Sequence, residues 1–503
     1  MKRNLCGLVI PAEAGVQKRK RWVPAFAGTT AVLLLAVACA PREALLPRLG
    51  VDVPALREFP ADFPLPDSNE TEQPIVGFGG GGGGVTRAPV IFVHGNTVSA
   101  RFWLPVRAHF KAAGYTDDEL WAPGYGWDNV RYFDSNDLSV PTLERFVSTV
   151  QNYLQRKTGK PIPQVDIVGH SLGVTLVRQW LKQENAWHRV RNFVGVAGGN
   201  HGVWTARLDS RTMNRVVSYE LARGSPWLAQ LNRGGETPGA TRYLMLYDGT
   251  GWGDALFTRA DQDSAALAGA TNLAFNRERG THFDHLELAR TPATMDAMLS
   301  FLKDSGAVSA EVRAPVLRLD TDQGGDHVLR AEPAAAQVVC AKGGDYPSRA
   351  TPAAAEVVLA AETVYSCYAF DPAAQLASPL QRFKWSQQPA SADVLTVTAS
   401  HAAGAYENPI SVTLSASDPA AYVVYSTSGS LPGSGAALYT QAVYVPGPLR
   451  LSAVAIAPDG RQSPPLVLDY DISLEKIEAA HSLQRQFDAS VPEQYRGQRK
   501  KGH

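Results

Sequence analysis

Apolar residues follow two alternating patterns across residues 86–305. Val90–Val93 is an unbroken apolar run, which is typical of a strand that is covered on both faces of a parallel sheet. Residues 143–155 instead carry apolar side chains at helical spacing. Further strand-like segments occur at 120–121, 165–169, 193–197 and 243–247, and further helix-like segments at 102–113, 172–181 and 294–302. This alternation predicts the α/β class, with a mostly parallel sheet and helices on both of its faces.

The pattern changes after about residue 310, where helical spacing disappears and Ala, Pro, Thr, Ser and Val dominate. Residues 394–473 contain short alternating runs separated by turn residues, among them Ile410–Leu414 and Tyr422–Ser426. Regularly spaced short strands are typical of a β-sandwich. We therefore expect a β-rich module at 311–390, a β-sandwich at 391–473 and a charged, helix-prone tail at 474–503.

The N-terminus has the pattern of an export signal. Lys18–Arg21 is basic, and the apolar stretch Ala31–Ala38 that follows is too short to span a membrane. Ala36–Cys39 resembles a bacterial lipobox, which implies cleavage before Cys39 and a lipid on its sulfur. The alternative is an ordinary secreted protein that is cleaved nearby. We expect residues 1–39 to be a leader and the mature chain to reside in the cell envelope, as an outer-membrane lipoprotein or in secreted form.

Residues 40–85 carry many Pro and acidic residues and end in the glycine run Gly79–Gly84. A run of glycines can cradle a phosphate, but the Lys and Ser or Thr that complete such a loop do not follow here. The composition favours a flexible linker between the leader and the α/β domain.

Composition narrows the function classes only slightly. The chain has 503 residues, which predicts more than one domain, and its 48 basic and 48 acidic residues balance. Such a balance does not favour nucleic-acid binding. Beyond the leader the cysteines are Cys340 and Cys367, and an oxidising compartment would favour a disulfide between them. No metal or other cofactor is expected.

The most informative motif is Gly169-His170-Ser171-Leu172-Gly173. A β-branched run precedes this G-x-S-x-G motif, and a segment with helical spacing follows it. That context is typical of a nucleophile elbow, in which a tight turn projects the serine hydroxyl from the end of a strand. A serine needs a histidine to take its proton and a carboxylate to orient that histidine, in the chain order Ser, acid, His.

The ordered motifs resemble secreted bacterial lipases and esterases of the α/β-hydrolase superfamily. The residues that carry this resemblance are Val90–Asn96, Val165–Gly173, Ala197–Gly202 and Leu267–Asn272. The same segments are similar to lipase-like extracellular poly(3-hydroxybutyrate) depolymerases. Separately, Thr396–Ser400, Tyr425–Ser430 and Leu451–Ala455 resemble the β-sandwich at the C-terminus of chitobiases. The resemblance implies an α/β-hydrolase fold followed by C-terminal β-sandwich modules.

This resemblance selects among the candidates for the triad. Asp254 lies in a Gly-x-x-Asp-x-apolar loop like that of lipases, whereas Asp248 precedes a glycine and is typical of a turn. His285 stands before a short apolar turn and the last predicted helix, with His282 as the alternate. A metal site at this His-x-Asp-His sequence would need further ligands. We therefore predict a triad of Ser171, His285 and Asp254.

The oxyanion hole is predicted from the loop after the first strand of the domain and from the elbow. The N–H groups of Asn96 and Leu172 are the expected donors. His94, His170 and His201 are predicted to have structural roles. An aromatic loop at 124–133 and a lid at 203–239 are candidates for shaping the pocket, although the aromatic side chains could instead pack the edge of the sheet.

The sequence thus predicts an exported serine hydrolase that cleaves carboxylic esters, with triacylglycerols or other lipid esters as substrates. The first alternative is a depolymerase of extracellular polyesters. An alternative from another class is a surface binding protein whose hydrolase domain is inert. The expected partners are the ester substrate and the membrane that the lipid anchor enters.

Overall fold

The computed structural model describes residues 56–69, 73–96, 98–125, 135–206, 216–249, 254, 256–257, 261, 264–275, 284–303, 313–386 and 394–472. The predicted leader, with its lipobox, and the predicted tail at 474–503 lie outside these residues. None of the described helices is both long and apolar enough to cross a membrane.

The described residues of the N-terminal half form an eight-stranded sheet. Its strands are β1 Arg57–Glu58, β2 Gly77–Gly79, β3 Val90–Val93, β4 Leu120–Pro123, β5 Val165–His170, β6 Val190–Val196, β7 Arg242–Asp248 and β8 Thr271–Phe275. Their order is β1-β2-β4-β3-β5-β6-β7-β8, and the β2–β4 pair is antiparallel while the other pairs are parallel. The predicted α/β architecture is confirmed.

Helices cover both faces of this sheet, as the unbroken apolar strands require. The α-helices are α1 Leu104–Ala112, α2 Asn136–Thr158, α3 Leu172–Gln183, α4 Val216–Leu221, α5 Pro226–Asn232 and α6 Pro292–Leu302. Short 3₁₀ helices lie at Ala100–Trp103, Asp117–Glu119, Ala186–Arg189 and Leu288–Arg290. Ile91 and Val93 belong to a core with α2 and α3, whereas Val90 and Phe92 belong to a second core with α1 and α6. Alternate residues of one strand therefore supply opposite layers.

Two elements differ from the patterns in the sequence. Strand β8 is an edge strand whose residues are exposed or half-buried, so it lacks the apolar run that marks the central strands. Helix α2 begins at Asn136, seven residues before its predicted start, because its first turns bury polar residues such as Asp137 and Ser139. A helical turn that buries polar residues does not show the apolar spacing from which a helix is predicted.

The glycine-rich segment is not a free linker over its described residues. Strand β2 includes Gly77 and Gly79 and places Phe78, with 0 % of its surface exposed, in the core. A Cβ on Gly79 would lie 2.2 Å from the Trp121 ring, so only glycine permits this approach. The N–H groups of Gly82 and Gly84 each donate to the Asp118 carboxylate at 3.1 Å. The α/β domain therefore begins before residue 86, with partners too distant in sequence for a local pattern to reveal.

The first C-terminal module consists of two small sheets. One contains β9 Val316–Thr321, β10 His327–Glu332 and β13 Glu356–Val358, and the other contains β11 Gln337–Lys342, β12 Ala353–Ala354, β14 Val364–Asp371, β15 Leu376–Ala377 and β16 Gln381–Lys384. Cys340 and Cys367 face each other on β11 and β14 and form a disulfide.

The second C-terminal module is the expected β-sandwich. Its strands are β17 Val397–Ala399, β18 Gly404–Tyr406, β19 Ile410–Val412, β20 Leu414–Ala416, β21 Tyr422–Ser426, β22 Ala437–Leu438, β23 Val443–Val445, β24 Leu449–Ile456 and β25 Leu466–Ile472. Most pairs are antiparallel, and side chains of Val412, Val443 and Leu451 share its core. The module thus encloses an apolar interior of its own.

A buried carboxylate anchors the end of the glycine-rich segment, and its replacement gives a test of that interpretation. Glu119, with 0 % of its surface exposed, accepts hydrogen bonds from the Thr86 N–H at 2.7 Å, the Arg87 N–H at 2.9 Å and the Thr116 N–H at 3.0 Å. Glu119→Ala leaves these donors without their acceptor, so we expect a loss of about 3 kcal/mol in the free energy of unfolding, measured by urea denaturation.

Asp117→Ala is the matched control, because that side chain is 28 % exposed and pairs with Arg107 and Lys111 at the surface. Surface pairs contribute little, so we expect a loss below about 1 kcal/mol. Equal losses in the two variants would contradict the anchoring role of Glu119.

Candidate active site

Ser171 occupies the turn between β5 and α3 in a strained backbone conformation. Its φ of 55° and ψ of −121° lie in a region that non-glycine residues rarely adopt. The Ser171 N–H donates to the Val196 carbonyl at 2.9 Å, which ties the turn to the end of β6. The half-buried serine therefore lies at the carboxyl edge of the sheet, as the elbow motif predicts.

Glycines make this turn possible through close backbone contacts. A Cβ on Gly173 would lie 2.4 Å from the Val93 carbonyl oxygen, and one on Gly169 would lie 3.0 Å from the Gly173 oxygen. A Cβ on Gly95 would lie 2.8 Å from the Ser171 Cβ. The loop after β3 thus lies directly against the serine, which explains why small residues occur in both motifs.

His285 and Asp254 form a buried pair. Nδ1 of His285 lies 2.7 Å from Oδ1 of Asp254, and the two residues are 7 % and 2 % exposed. Burial raises the pKa of Asp254, and the neighbouring His285 opposes that rise. A carboxylate accepts, so the Nδ1 position carries the proton. Nε2 of His285 is buried and has no hydrogen-bond partner among the described residues, which leaves it available as a base.

His170 connects the elbow to the loop of His285. Its Nε2–H donates to the His285 carbonyl at 2.8 Å, and its ring stacks on Phe102 with 4.7 Å between centroids. Burial is the main reason that the pKa of His170 lies well below its usual value, and the neighbouring His285 lowers it further. His170 is therefore a neutral donor with its proton on Nε2. The sequence predicted a structural role for His170 but not this contact with the predicted base.

The predicted oxyanion donors are Leu172, which follows Ser171 in the chain, and Asn96, which follows the Gly95 that contacts Ser171. Leu172 is the first residue of α3, where N–H groups have no partner within the helix and favour negative charge. Asn96 lies two residues beyond His94 in the loop after β3, next to the Gly95 that contacts Ser171.

His94 fixes the conformation of that loop. Its Nδ1–H donates to the Gly95 carbonyl at 2.9 Å, and its Nε2 accepts from the Tyr125 N–H at 3.3 Å. The Tyr125 hydroxyl donates to the His94 carbonyl, and the two rings stack with 4.2 Å between centroids. Burial lowers the pKa of His94 to about 4, so the ring stays neutral and holds a single tautomer at physiological pH. These contacts give His94 a structural role.

The alternate candidates have other positions. Asp248 ends β7 and is close enough to Asp254 to raise the pKa of that carboxyl, but the carboxylate that contacts Nδ1 of His285 is Asp254. His282 lies outside the described residues, as do most of the aromatic loop and residues 207–215 of the predicted lid. His201 lies 2.7 Å from the Glu236 carboxylate, and its ring contacts the Ser264 carbonyl. Within the described ranges, no cluster of His, Cys, Asp and Glu could hold a metal ion.

An apolar rim beside the pair was missed in the sequence. Trp204 and Leu256 are 40 % and 41 % exposed, and the Thr205 hydroxyl joins their segments by donating to the Leu256 carbonyl at 3.1 Å. Phe257, the next residue, lies 6.0 Å from the His285 ring. The signal for this rim in the sequence was the apolar pair Leu256-Phe257, which begins two residues after Asp254.

The sheet, the elbow and the order of these residues define the domain as an α/β-hydrolase. Residues 87–272 match the family model of class 2 lipases, and residues 401–466 match the model of the chitobiase/β-hexosaminidase C-terminal domain. The resemblances of the α/β domain to lipases and of the C-terminal segment to the chitobiase β-sandwich, both predicted from the sequence, are confirmed.

Solved structures of bacterial and archaeal lipases and esterases are also similar. The mature lipase of Bacillus licheniformis is 17 % identical, with a TM-score of 0.32 over 43 % of this chain and 92 % of that chain. A carboxylesterase of Nitrososphaera gargenis is 12 % identical, with a TM-score of 0.31 over 48 % and 98 %. The monoacylglycerol lipase of Paleococcus ferrophilus is 13 % identical, with a TM-score of 0.30 over 43 % and 96 %.

The contact between His170 and His285 can be tested by replacing the donor. His170→Phe keeps an aromatic ring beside Phe102 but removes the Nε2–H that donates to the His285 carbonyl. One hydrogen bond contributes about 1 kcal/mol, so we expect kcat for a soluble p-nitrophenyl ester to fall about fivefold or more, with KM nearly unchanged. His170→Gln retains an N–H donor and should recover part of that loss.

His188→Phe is the control, since this histidine lies in the 3₁₀ helix before β6 and its ring bonds the nearby Asn185 carbonyl at 3.1 Å. We expect its kcat to stay within about twofold of the wild type. A His170→Phe enzyme with unchanged kcat would refute the positioning role.

Proposed function

We propose that this protein is an exported serine hydrolase that cleaves carboxylic esters of lipids through a triad of Ser171, His285 and Asp254. The observation that carries the proposal is the buried His285–Asp254 pair at 2.7 Å, with Nε2 of the histidine left without a partner among the described residues. This pair is tied through His170 to the strained turn that presents Ser171. Strain of this kind persists where the surrounding structure enforces it for function.

The first half of the reaction forms an acyl-enzyme. Ser171 Oγ attacks the ester carbonyl while Nε2 of His285 takes its proton, and Asp254 stabilises the resulting imidazolium through Nδ1–H. The N–H groups of Leu172 and Asn96 stabilise the oxyanion, and each such donor lowers the barrier by about 3 kcal/mol. The alcohol leaves with the proton from Nε2. In the second half, His285 activates a water molecule that releases the acid.

The apolar rim supports a lipid substrate. Trp204 and Leu256 expose large apolar surface next to Phe257, whose ring lies 6.0 Å from that of His285, and an acyl chain would meet the protein there. An apolar polyester would meet the same rim. The rim therefore does not distinguish a lipase from a polyester depolymerase, and a comparison of substrates is needed.

The triad is tested with Ser171→Ala and Asp254→Asn in the full mature chain. Ser171→Ala should abolish turnover of p-nitrophenyl esters. In Asp254→Asn an amide faces Nδ1 and favours the wrong tautomer, so we expect kcat to fall by about 10³–10⁴. Asp248→Asn is the matched control and should keep activity within about tenfold. Turnover that survives Ser171→Ala would contradict the triad and favour a binding protein with an inert hydrolase domain.

The substrate class is tested by measuring turnover of emulsified triglyceride, long-chain esters and a polyester film by the same enzyme. Ser171-dependent release from emulsified triglyceride and long-chain esters is expected for a lipase. Selective clearing of a poly(3-hydroxybutyrate) film would assign the polyester alternative instead. Measurement of fatty acid and hydroxybutyrate release distinguishes the two products.

Export and lipid anchoring are part of the proposal. The basic and apolar leader ahead of Cys39 supports export, and the Cys340–Cys367 disulfide is typical of proteins in oxidising compartments. We expect the wild-type chain to enter the detergent phase in a Triton X-114 partition and Cys39→Ser to stay in the aqueous phase. Aqueous partitioning of both chains would indicate an ordinary secreted protein.

A further inference from the structure

Helices α4 and α5 form a hairpin, residues 216–232, that lies between the hydrolase sheet and the β-sandwich. On the hydrolase side, the Leu221 carbonyl accepts from the Val203 N–H at 2.9 Å, which joins the hairpin to the loop after β6. That loop lies at the carboxyl edge of the sheet, where open α/β sheets bind their ligands. The end of α4 is therefore near the same edge of the sheet as Ser171, whereas α5 lies beside the end of α3, where Lys182 Nζ donates to the Gln230 carbonyl at 2.6 Å.

The β-sandwich covers the other side of this hairpin. Tyr219 packs against the apolar core of the sandwich, and Tyr444 of β23 packs on the cluster that contains Trp227. The Tyr444 N–H donates to the Gln230 side chain at 3.1 Å. A Cβ on Gly447 would lie only 2.7 Å from the Val216 side chain. The hairpin and the β-sandwich are therefore packed directly against each other.

A buried carboxylate joins three elements at the same interface. Asp137, in the first turn of α2, accepts from Gln179 Nε2 of α3 at 2.7 Å, from Thr427 Oγ1 of the sandwich at 2.6 Å and from Trp227 Nε1 of α5 at 2.9 Å. These donors are neutral, and the residue is 3 % exposed. Burial raises the pKa of Asp137, because a carboxylate is costly away from water. The three hydrogen bonds offset part of that cost and hold the side chain in place. The sandwich supplies one of these three donors.

The neighbouring residue continues this network to the elbow. Asn136 Nδ2 and N–H donate to Glu220 of the hairpin at 2.8 and 3.0 Å. The Thr175 hydroxyl lies 3.0 Å from both Asn136 Oδ1 and the Leu172 carbonyl. Leu172 is the proposed oxyanion donor. Buried hydrogen bonds therefore lead from Thr427 of the sandwich through the start of α2 to the first turn of α3.

A second set of contacts fixes the sandwich to the end of α3. The Thr427 N–H donates to Gln183 Oε1 at 2.9 Å, and the Ser430 hydroxyl donates to Glu184 at 3.1 Å. Helix α3 thus has Ser171 at its N-terminus and the sandwich at its C-terminal end. A module that only spaced or tethered the hydrolase would not need these buried polar contacts.

We infer that the C-terminal β-sandwich is an internal brace that holds the α4–α5 hairpin and the start of α2 in position against the elbow. The assignment concerns the substrate side of the proposed hydrolase site and rests on that proposed function. Removal of a single donor at the interface leaves part of a buried carboxylate without a partner, which weakens the interface and allows Asp137 to move.

The test compares Thr427→Val with Thr427→Ser in the full mature chain. Valine keeps the shape of threonine but removes the hydroxyl that bonds Asp137, whereas serine keeps the hydroxyl. At a temperature well below unfolding, we expect Thr427→Val to lower kcat for p-nitrophenyl butyrate about fivefold with KM within twofold, and Thr427→Ser to stay within twofold. The matched control is Thr398→Val, at an exposed position of strand β17 where the threonine hydroxyl donates to the Ser415 carbonyl at 3.4 Å, and it should behave as the wild type.

Thermal unfolding separates the brace from the proposed function. If the sandwich braces the hydrolase, the wild type should unfold both parts in one cooperative transition, and Thr427→Val should lower its midpoint by several degrees. This result does not depend on esterase activity, so it stands even if Ser171→Ala leaves turnover unchanged. Two separate transitions, a wild-type midpoint in Thr427→Val, or a lowered midpoint with wild-type kcat would each overturn the brace.

Discussion

The close approach of three backbone segments at Ser171 is the constraint on which the rest of the site depends. The loop after β3, the turn after β5 and the first turn of α3 meet where Gly95, Gly169 and Gly173 have no side chains. Ser171 accepts a positive φ there because its N–H is bonded to the end of β6 and its neighbours are fixed by the sheet. The central strands therefore act as a rigid frame that both enforces the strained turn and brings the oxyanion loop to it.

Burial gives the three histidines around this turn different chemistry. His94 and His170 are almost fully buried, and this burial lowers the pKa of each and keeps the rings neutral. Each then holds one tautomer and serves as a fixed donor to a carbonyl, at Gly95 and His285 respectively. His285 instead contacts a carboxylate, that of Asp254. A ring that must become charged during a reaction needs such a partner, because an unpaired buried charge is costly.

Local signals in the sequence were sufficient for the centre of the fold and for the triad candidates. Strand β3 was predicted with its observed bounds, since an unbroken apolar run between polar residues has one interpretation in a parallel sheet. The glycine-rich segment was assigned wrongly, because its partners Asp118 and Glu119 lie more than 30 residues away and glycine carries no pattern of its own. The contact of His170 with the His285 carbonyl could not be predicted either. It depends on how a loop 115 residues later returns to the elbow.

The two buried aspartates show why the position of a carboxyl in the fold decides its role. Burial raises the pKa of both Asp254 and Asp137. Asp254 faces a histidine that can accept a proton and become positive, so its charge is stabilised when the base is charged. Asp137 faces an amide, a hydroxyl and an indole N–H, which can orient a carboxyl but cannot exchange a proton with it at neutral pH. Since one of these donors comes from the β-sandwich, Asp137 is a point of attachment between the hydrolase domain and the sandwich.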